Sequence, residues 1–255
     1  SRVDPDLKIN DISHGIPPQN IKYGSLLLMR AIQYIPQGVL LAVVDPGVGT
    51  ERNPIAITTD WGLMIGPDNG LLNLACATVG GAKQAFLLEN KNWVIPHEGE
   101  TFHARDIFAP FAAAYASGQL KLEEFGKELD LEDLKQYLIP LTDISEKEIK
   151  GEVLYVDHFG NCQTNISPGE LNDKKFQIGD VLNLSIGNQE IEAKWCATYQ
   201  NDNERDVGIV VDSWGMISLF VSNGSASEVL NCKDTSKIKI TVENLKLKVR
   251  QSNGS

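Results

Sequence analysis

The spacing of apolar and polar residues differs between the two halves of the chain. In the first half, this spacing predicts helices that alternate with strands. Apolar residues fall at helical spacing over residues 25–35, and a continuous apolar run follows at 38–44. Such a run is typical of a strand in a parallel sheet that is covered on both faces. Residues 55–59 are predicted as another strand, and residues 70–79 and 107–116 as helices. This alternation predicts an α/β sheet domain.

The spacing of apolar residues changes after residue 151. Short β-prone runs, separated by Gly, Asn and Asp, recur at 153–156, 181–186, 191–195, 207–211, 217–221 and 238–242. Closely spaced strands with turn signals predict a small barrel or sandwich. We therefore expect an α/β domain over residues 1–125, a charged, helix-prone connector over 126–150, and a β domain over 151–255.

Composition narrows the classes of function. The chain has 42% hydrophobic and 22% charged residues, as ordinary soluble globular proteins do. It holds no run of eighteen apolar residues, which a membrane-spanning helix would need. Its formal net charge of −11 argues against a nucleic-acid partner, which would require a basic stripe. The same charge would weakly attract a cationic small molecule. We expect a cytoplasmic protein.

The four cysteines are widely scattered and form no CxxC pair. A structural zinc site is therefore not expected. The simplest interpretation is four idle thiols in a reducing compartment.

Polar groups and glycines cluster where the first predicted strand ends. Asp45 follows the apolar run directly, Gly47 and Gly49 permit a tight turn, and Arg52 comes next. Ligands of open α/β sheets bind beyond the carboxyl ends of the strands, where Asp45 would lie. The alternative is a plain turn in which Asp45 satisfies loose amides and Arg52 is a solvated charge.

Two further segments carry candidate chemistry. Residues 66–72 (GPDNGLL) predict a turn and a helix start, with Asp68 or Asn69 as the cap. Residues 101–110 place His103 just before an apolar helix, and histidine is the usual residue for handling a proton near neutral pH. In the structural alternative, Asp106 caps that helix and Arg105 pairs locally.

Taken in order, these segments resemble a known family. VDPGVG-x-x-R at 44–52, GPDNGLL at 66–72, TFHxRDIFAP at 101–110 and YVDHFGNCQTN at 155–165 are similar to the signature blocks of the SAM hydroxide adenosyltransferases, where SAM is S-adenosyl-L-methionine. That family also contains the SAM-dependent fluorinase and chlorinase. The resemblance implies an N-terminal α/β domain followed by a small C-terminal β-barrel. It also implies a homotrimer that binds SAM between the N-terminal domain of one subunit and the C-terminal domain of its neighbour.

The resemblance also implies a reaction. Its hydrolases carry an Asp-Arg-His triad, whose positions fall on Asp45, Arg52 and His103. The halogenases do not keep that triad, and the fluorinase-like members carry an insertion that is absent between Arg52 and Gly66 here. We therefore expect hydrolysis of SAM to adenosine and L-methionine by water attack at C5′, with the triad orienting and activating the water. No cofactor or metal is expected, because the sulfonium is already a good leaving group.

Six substrate contacts are carried over from the family. The predicted roles are Asp157 for the methionine amino group, Phe159 for stacking on adenine, Asn161 for the base, Phe102 for the nucleoside, Ser213 for the methionine carboxylate and Ala226 for a backbone contact to adenine.

The chain departs from the family at a few places. It lacks the first strand and the TTDFG-like turn whose Asp holds the ribose hydroxyls, so either that segment precedes the sequence given or ribose binding is impaired. We expect the former, because losing a first strand would expose a sheet edge. Gln19 replaces an aromatic residue, Ala104 a Gly and Ser225 an Asn. The alternatives to a hydrolase are a halogenase, a non-catalytic SAM or adenosine binder, and an unrelated protein whose blocks are only structural turns.

Overall fold

A computed structural model describes residues 3–96, 99 and 101–242 of the chain. The protein consists of two compact units, and the boundary falls between Leu138 and Ile139. Among the described residues, no helix has the length and apolar content needed to cross a membrane.

The first unit is built on a mixed sheet, which differs from the parallel sheet expected. Its five described strands run in the order β1-β3-β2-β4-β5. Their bounds are Gly38–Leu41 (β1), Pro54–Thr58 (β2), Gly62–Pro67 (β3), Gln84–Leu87 (β4) and Glu128–Leu129 (β5). Within this sheet, as far as the structure describes it, only the β1–β3 pair is parallel. The reason is a hairpin between β2 and β3, where the Thr59 hydroxyl accepts hydrogen bonds from the amides of Trp61 and Gly62 at 3.1 Å.

Helices cover both faces of this sheet and complete an α/β domain, as predicted. The described helices are α1 at Ile21–Ala31, α2 at Asn73–Thr78, and a π-helical turn at Ala104–Phe108 that continues into α3 at Ala109–Ala116. Strand β3 shows why two layers are needed. Leu63 and Ile65 belong to the apolar cluster under α3, and Met64 belongs to the one under α1 and α2. Successive side chains of a strand point to opposite faces, so both faces require cover.

The chain on both sides of the unit boundary, residues 122–144, is not helical in the way the sequence suggested. It contains short 3-10 turns at Leu122–Glu124 and Leu131–Asp133, strand β5, and strand β6 at Asp143–Ile144. Gly126 interrupts any longer helix, because it has φ +155° and a side chain there would approach the Leu87 carbonyl oxygen to 2.6 Å. The helix-prone prediction for this region is therefore wrong.

The second unit is a closed barrel, which confirms the predicted C-terminal fold. Its described strands follow the order β13-β9-β10-β11-β12-β8-β7, and pairing of β13 with β7 closes the ring. Their bounds are Glu148–Val156 (β7), Cys162–Thr164 (β8), Val181–Ile186 (β9), Gln189–Trp195 (β10), Val207–Val211 (β11), Ile217–Val221 (β12) and Lys237–Thr241 (β13). Helices α4 at Pro168–Asp173 and α5 at Ala226–Val229 lie in the connections. Buried and half-buried residues alternate along β9, as expected for a barrel strand with one face in the core.

Candidate active site

The loop after β1 folds back on itself and joins Asp45 to Arg52. The Thr50 amide and hydroxyl both donate to the Gly47 carbonyl, at 3.1 and 2.7 Å, and Gly49 has φ +77°. This tight turn brings Arg52 Nε to 2.9 Å from Asp45 Oδ1, while Arg52 Nη2 donates to Asp45 Oδ2. The side chains of Arg52 and Asp45 are only 9% and 6% exposed. The result is a buried, two-pronged ion pair of the strong, geometrically specific kind.

His103, which directly precedes the π-helical turn, completes the cluster. Its Nδ1 lies 2.9 Å from Arg52 Nη2. A guanidinium group can only donate, so Nδ1 must accept and the imidazole is neutral with its hydrogen on Nε2. The guanidinium carbon also lies 5.1 Å from the centre of the Phe108 ring, close enough for a cation–π contact. The three residues that the motifs singled out are therefore together.

One nitrogen of this cluster is unused. Arg52 Nη1 is buried and has no hydrogen-bond partner among the described residues. A buried donor without a partner costs free energy, and native structures rarely keep one without a reason. The arrangement is suited to a water or ligand oxygen that would accept a hydrogen bond from Nη1.

The 66–72 turn positions the chain that leads into Asp45. Asn69 Nδ2 donates to the Val44 carbonyl at 2.9 Å, and Asn69 Oδ1 accepts from the Leu71 amide at 3.1 Å. The backbones approach closely, since a side chain at Gly66 would lie 2.4 Å from the Ala42 carbonyl oxygen. The expected helix cap is absent, because α2 begins at Asn73 with no side-chain bond from its capping residue. Asn69 thus supports the chain between β1 and Asp45, a role that its predicted capping function did not indicate.

The neighbouring Asp68 has a different role. Its Oδ1 accepts a hydrogen bond from the Lys135 amide at 2.8 Å, which ties the end of the first unit to the turn. Burial raises the pKa of the Asp68 carboxyl, although the Lys135 amide and charge oppose that shift.

The rest of the 101–110 segment is engaged in local contacts. Arg105 Nε and Nη2 bond to the two carboxylate oxygens of Asp106 at 2.6 and 2.9 Å, which is the local pairing considered above. Asp106 lies inside the π-helical turn and is not its N-cap. Phe102 is 52% exposed, with the Arg105 guanidinium carbon 4.7 Å from its ring centre. Phe102 therefore presents an accessible aromatic face beside His103.

In the barrel, Asp157 organises the loop that contains Phe159 and Asn161. Asp157 Oδ1 accepts from the amides of Phe159 and Asn161, and Oδ2 accepts from Asn161 Nδ2, all at 2.9 Å. Phe159 extends from this frame with 75% of its surface exposed. Burial, followed by the charges of Asp212 and Asp157, raises the pKa of the nearby Tyr199 hydroxyl. The loop thus has a fixed backbone and a negative surrounding field.

The remaining barrel residues lie on turns connected to this loop. Ala226 is buried at the start of α5, and the Ser227 amide donates to the Gly160 carbonyl at 2.9 Å. Gly160 has φ +82°, and a side chain there would overlap Ser225 Oγ at 2.2 Å, so the two turns pack tightly. Ser213 is exposed on the β11–β12 turn.

That turn is joined to the strand that follows the loop. Asp212 accepts from the Trp214 and Met216 amides at 2.8 and 3.2 Å and from Gln163 Nε2 of β8. The structure therefore groups the five predicted barrel residues on three connected turns. Two residues of this region were not singled out from the sequence: Gln163 lies in the 155–165 block without an assigned role, and Tyr199 lies outside every block.

The described residues contain no group of three or more His, Cys, Asp or Glu side chains arranged to hold a metal ion. Their cysteines are free and buried.

Comparison with known proteins gives a consistent assignment. Residues 1–126 match the SAM hydroxide adenosyltransferase N-terminal domain, and residues 151–239 match the C-terminal domain of the same name. An (R)-S-adenosyl-L-methionine hydrolase of Salinispora tropica is 35% identical over 241 residues, which cover 94% of this chain and 89% of the relative. A fluorinase of Nocardia brasiliensis is 24% identical over 269 residues, covering 94% and 89%.

A solved structure also resembles this one. The crystal structure of a conserved protein from Thermotoga maritima superimposes with a TM-score of 0.81 and 32% identity, covering 94% of this chain and 90% of that one. The two domain matches together span most of the sequence, in the order that the motifs indicated. The chain belongs to the SAM hydroxide adenosyltransferase family.

Proposed function

We propose that the protein hydrolyses SAM to adenosine and L-methionine. Relatives that are about a third identical carry the name (R)-S-adenosyl-L-methionine hydrolase. The observation that supports the proposal most strongly is the buried Asp45–Arg52–His103 cluster, in which Arg52 Nη1 has no partner among the described residues. An unused buried donor beside a carboxylate is suited to binding and orienting a water molecule.

In this reaction the attacking water requires catalytic assistance, whereas the leaving group does not. The water oxygen attacks C5′, the C5′–S bond breaks, and its electron pair returns to sulfur, so the sulfonium becomes the neutral thioether of methionine. The leaving group therefore needs no proton, whereas the attacking water must lose one. Positioning of the water in line with the C5′–S bond would supply a large share of the rate. Arg52 would stabilise the developing hydroxide character.

Asp45 is the better proton acceptor of the triad. Its oxygens already accept from Arg52, but each carboxylate oxygen has a second lone pair. His103 Nδ1 is occupied by Arg52 Nη2, and its other ring nitrogen carries the hydrogen. In this scheme His103 holds the guanidinium through Nδ1, and Asp45 rather than His103 accepts from the water.

The barrel turns would bind the substrate. The exposed ring of Phe159 is suited to stacking on adenine, and the field of Asp157 and Asp212 favours the methionine ammonium. The further proposed contacts are Asn161 to the base, Ser213 to the methionine carboxylate, Ala226 to adenine through its backbone, and Phe102 to the nucleoside. No resident cofactor or metal is part of the scheme.

We further propose a homotrimer in which the triad of one subunit works with the barrel turns of its neighbour. Phe102 and Phe159 are 52% and 75% exposed, so each leaves aromatic surface accessible to a ligand or to a neighbouring subunit. Mixing an Asp45→Ala variant with an Asn161→Ala variant should then restore part of the activity, because some mixed sites hold two intact halves. A monomer by light scattering that retains full turnover would contradict the trimer.

The function itself is tested by incubating the protein with SAM and separating the products by chromatography, with and without added chloride or fluoride. We expect adenosine and methionine in equal amounts, independent of halide. A halogenated nucleoside that appears only with halide would support a halogenase. SAM that is bound but recovered intact would support a non-catalytic binding protein.

A further inference from the structure

Two buried thiols meet inside the barrel. Cys162 Sγ and Cys232 Sγ are 3.0 Å apart, although the residues are separated by 70 positions in the sequence. Cys162 is fully buried and Cys232 is 7% exposed. Cys162 follows Asn161 directly, at the start of β8, and Cys232 lies in the turn after α5. The scattered cysteines of the sequence are therefore not all independent of one another.

The segments that carry these thiols are already joined by hydrogen bonds. The Cys232 amide donates to the Ser227 carbonyl at 3.0 Å, and the Ser227 amide donates to the Gly160 carbonyl at 2.9 Å. A disulfide bond is about 2.05 Å long, so the two sulfurs would have to move together by only about 1 Å. The two segments are thus already held side by side, with their sulfur atoms in contact.

We propose that Cys162 and Cys232 are a redox-modification site, where a low-molecular-weight disulfide such as oxidised glutathione converts the two thiols into a reversible disulfide. The bond would tie the Asp157–Asn161 loop covalently to the turn that follows α5.

The contact between the thiols determines the order of the steps. The hydrogen bond from Cys162 lowers the pKa of the Cys232 thiol, and the same contact, together with burial, raises the pKa of Cys162. Cys232 is also the more exposed of the two, so it reacts first. Its thiolate attacks one sulfur of the oxidant and releases one thiol. Cys162 then loses its proton and attacks Cys232 Sγ, and the second thiol leaves. Two protein thiols are oxidised and one small disulfide is reduced to two thiols.

The bridge should alter binding more than chemistry, an expectation that rests on the proposed function. Drawing Cys162 toward Cys232 pulls on Asn161, whose side chain and amide are held by Asp157. Asn161 is the proposed hydrogen-bond partner of the base, so its displacement should weaken that contact. We expect the oxidised protein to bind SAM about tenfold more weakly, which is the size of effect that the loss of one hydrogen bond produces.

The modification is tested on the full chain without substrate. The protein is treated with oxidised glutathione, denatured, alkylated and digested, and the peptides are identified by mass spectrometry with and without reductant. We expect a peptide containing Cys162 to be joined to one containing Cys232. The oxidised protein should also melt several degrees higher than the reduced one, because the bridge closes a long loop.

Matched variants keep the test interpretable. Cys76 and Cys196 are also buried, but the closest sulfur to Cys76 is that of Met64, and Cys196 contacts the Lys194 carbonyl. A Cys76→Ala/Cys196→Ala double variant should form the same link. Cys232→Ser should abolish the link and the oxidant-induced rise in melting temperature; if it does not fold, Cys162→Ser and Cys232→Ala provide the same comparison.

The inference is overturned if Cys162 and Cys232 are both alkylated after oxidation, or if they link to Cys76 and Cys196 as readily as to each other. Its failure is distinct from failure of the proposed function. Adenosine release without the link would remove the inference alone, and the link without adenosine release would remove the function alone.

Discussion

The triad and the barrel loop use their polar groups in opposite ways. Asp45 and His103 hold Arg52 from two directions, yet Arg52 Nη1 remains buried without a partner among the described residues. Asp157, in contrast, has both carboxylate oxygens bonded within its own loop, and the loop presents the exposed ring of Phe159. The first arrangement keeps a hydrogen-bond donor available for a reacting molecule, and the second maintains the conformation of the loop. We therefore expect changes in the triad to affect rate and changes in the barrel loop to affect affinity.

The largest effect should come from Arg52→Met. Removal of one preorganised donor typically lowers a rate by about two to three orders of magnitude, so single-turnover adenosine release should fall by that amount. SAM affinity, measured by calorimetry, should change little. Arg52→Lys should rescue only weakly, because lysine lacks the planar fork that both Asp45 and His103 engage.

Arg205→Met is the matched control, since Arg205 is exposed in the barrel unit. It should react like the parent. His103→Ala should add little to the loss in Arg52→Met, because residues that serve one water act as a unit. Parent-like turnover of Arg52→Met would break the distinction between the two regions.

Asp157→Ala should show the converse behaviour. Hydrogen bonds to a charged group contribute about 1.5–3 kcal/mol, so SAM binding should weaken about 10- to 100-fold as the loop loses its frame. The rate at saturating SAM should stay within a few-fold of the parent. Asp173→Ala, which removes an exposed carboxylate from the same unit, is the control. A loss confined to the saturated rate would place Asp157 with the triad instead.

A smaller effect should distinguish a residue that positions Asp45 from a residue that only stabilises the fold. Asn69→Ala removes the bond to the Val44 carbonyl, next to Asp45, and a typical hydrogen bond is worth about 1 kcal/mol. The saturated rate should fall about tenfold or less. Asn73→Ala removes two comparable bonds to the Tyr137 backbone. It should lower the melting temperature to a similar extent without lowering the rate, and equal loss of rate in both variants would contradict a positioning role for Asn69.

The smallest effect concerns stability and pH. Because burial raises the pKa of Asp68, the folded state favours its protonated form. That contribution to stability is fully present below the ordinary carboxyl pKa of 3.8 and is lost as pH rises through the raised value. Asp68→Asn stays neutral and can still accept from the Lys135 amide. Denaturant midpoints should therefore favour the variant increasingly as pH rises across this window, and an opposite trend would contradict the direction of the shift.

Local patterns predicted the features that depend on neighbouring residues. The strands at 181–186, 207–211 and 217–221 coincide with β9, β11 and β12, because each is a short apolar run between turn residues. The motifs likewise identified Asp45, Arg52 and His103 before their contacts were known. Strand β8 was missed because it has only three residues, with Gln163 and Thr164 polar although buried.

Features that depend on tertiary closure could not be predicted. The mixed sheet follows from the hairpin at 59–62, which the predicted run at 55–59 did not reveal. The helix-prone connector failed because propensity alone does not register the close approach at Gly126. The Cys162–Cys232 contact exists only because the segments before β8 and after α5 meet in the barrel.

The central claim is that this protein uses water to cleave SAM at C5′. The most direct test is to run the reaction in water enriched in the heavy isotope of oxygen and to analyse the nucleoside by mass spectrometry. The account predicts adenosine with one heavy oxygen at its 5′ position, together with unlabelled methionine, and almost no product from Arg52→Met. Adenosine without the label, or a nucleoside that retains sulfur, would contradict it.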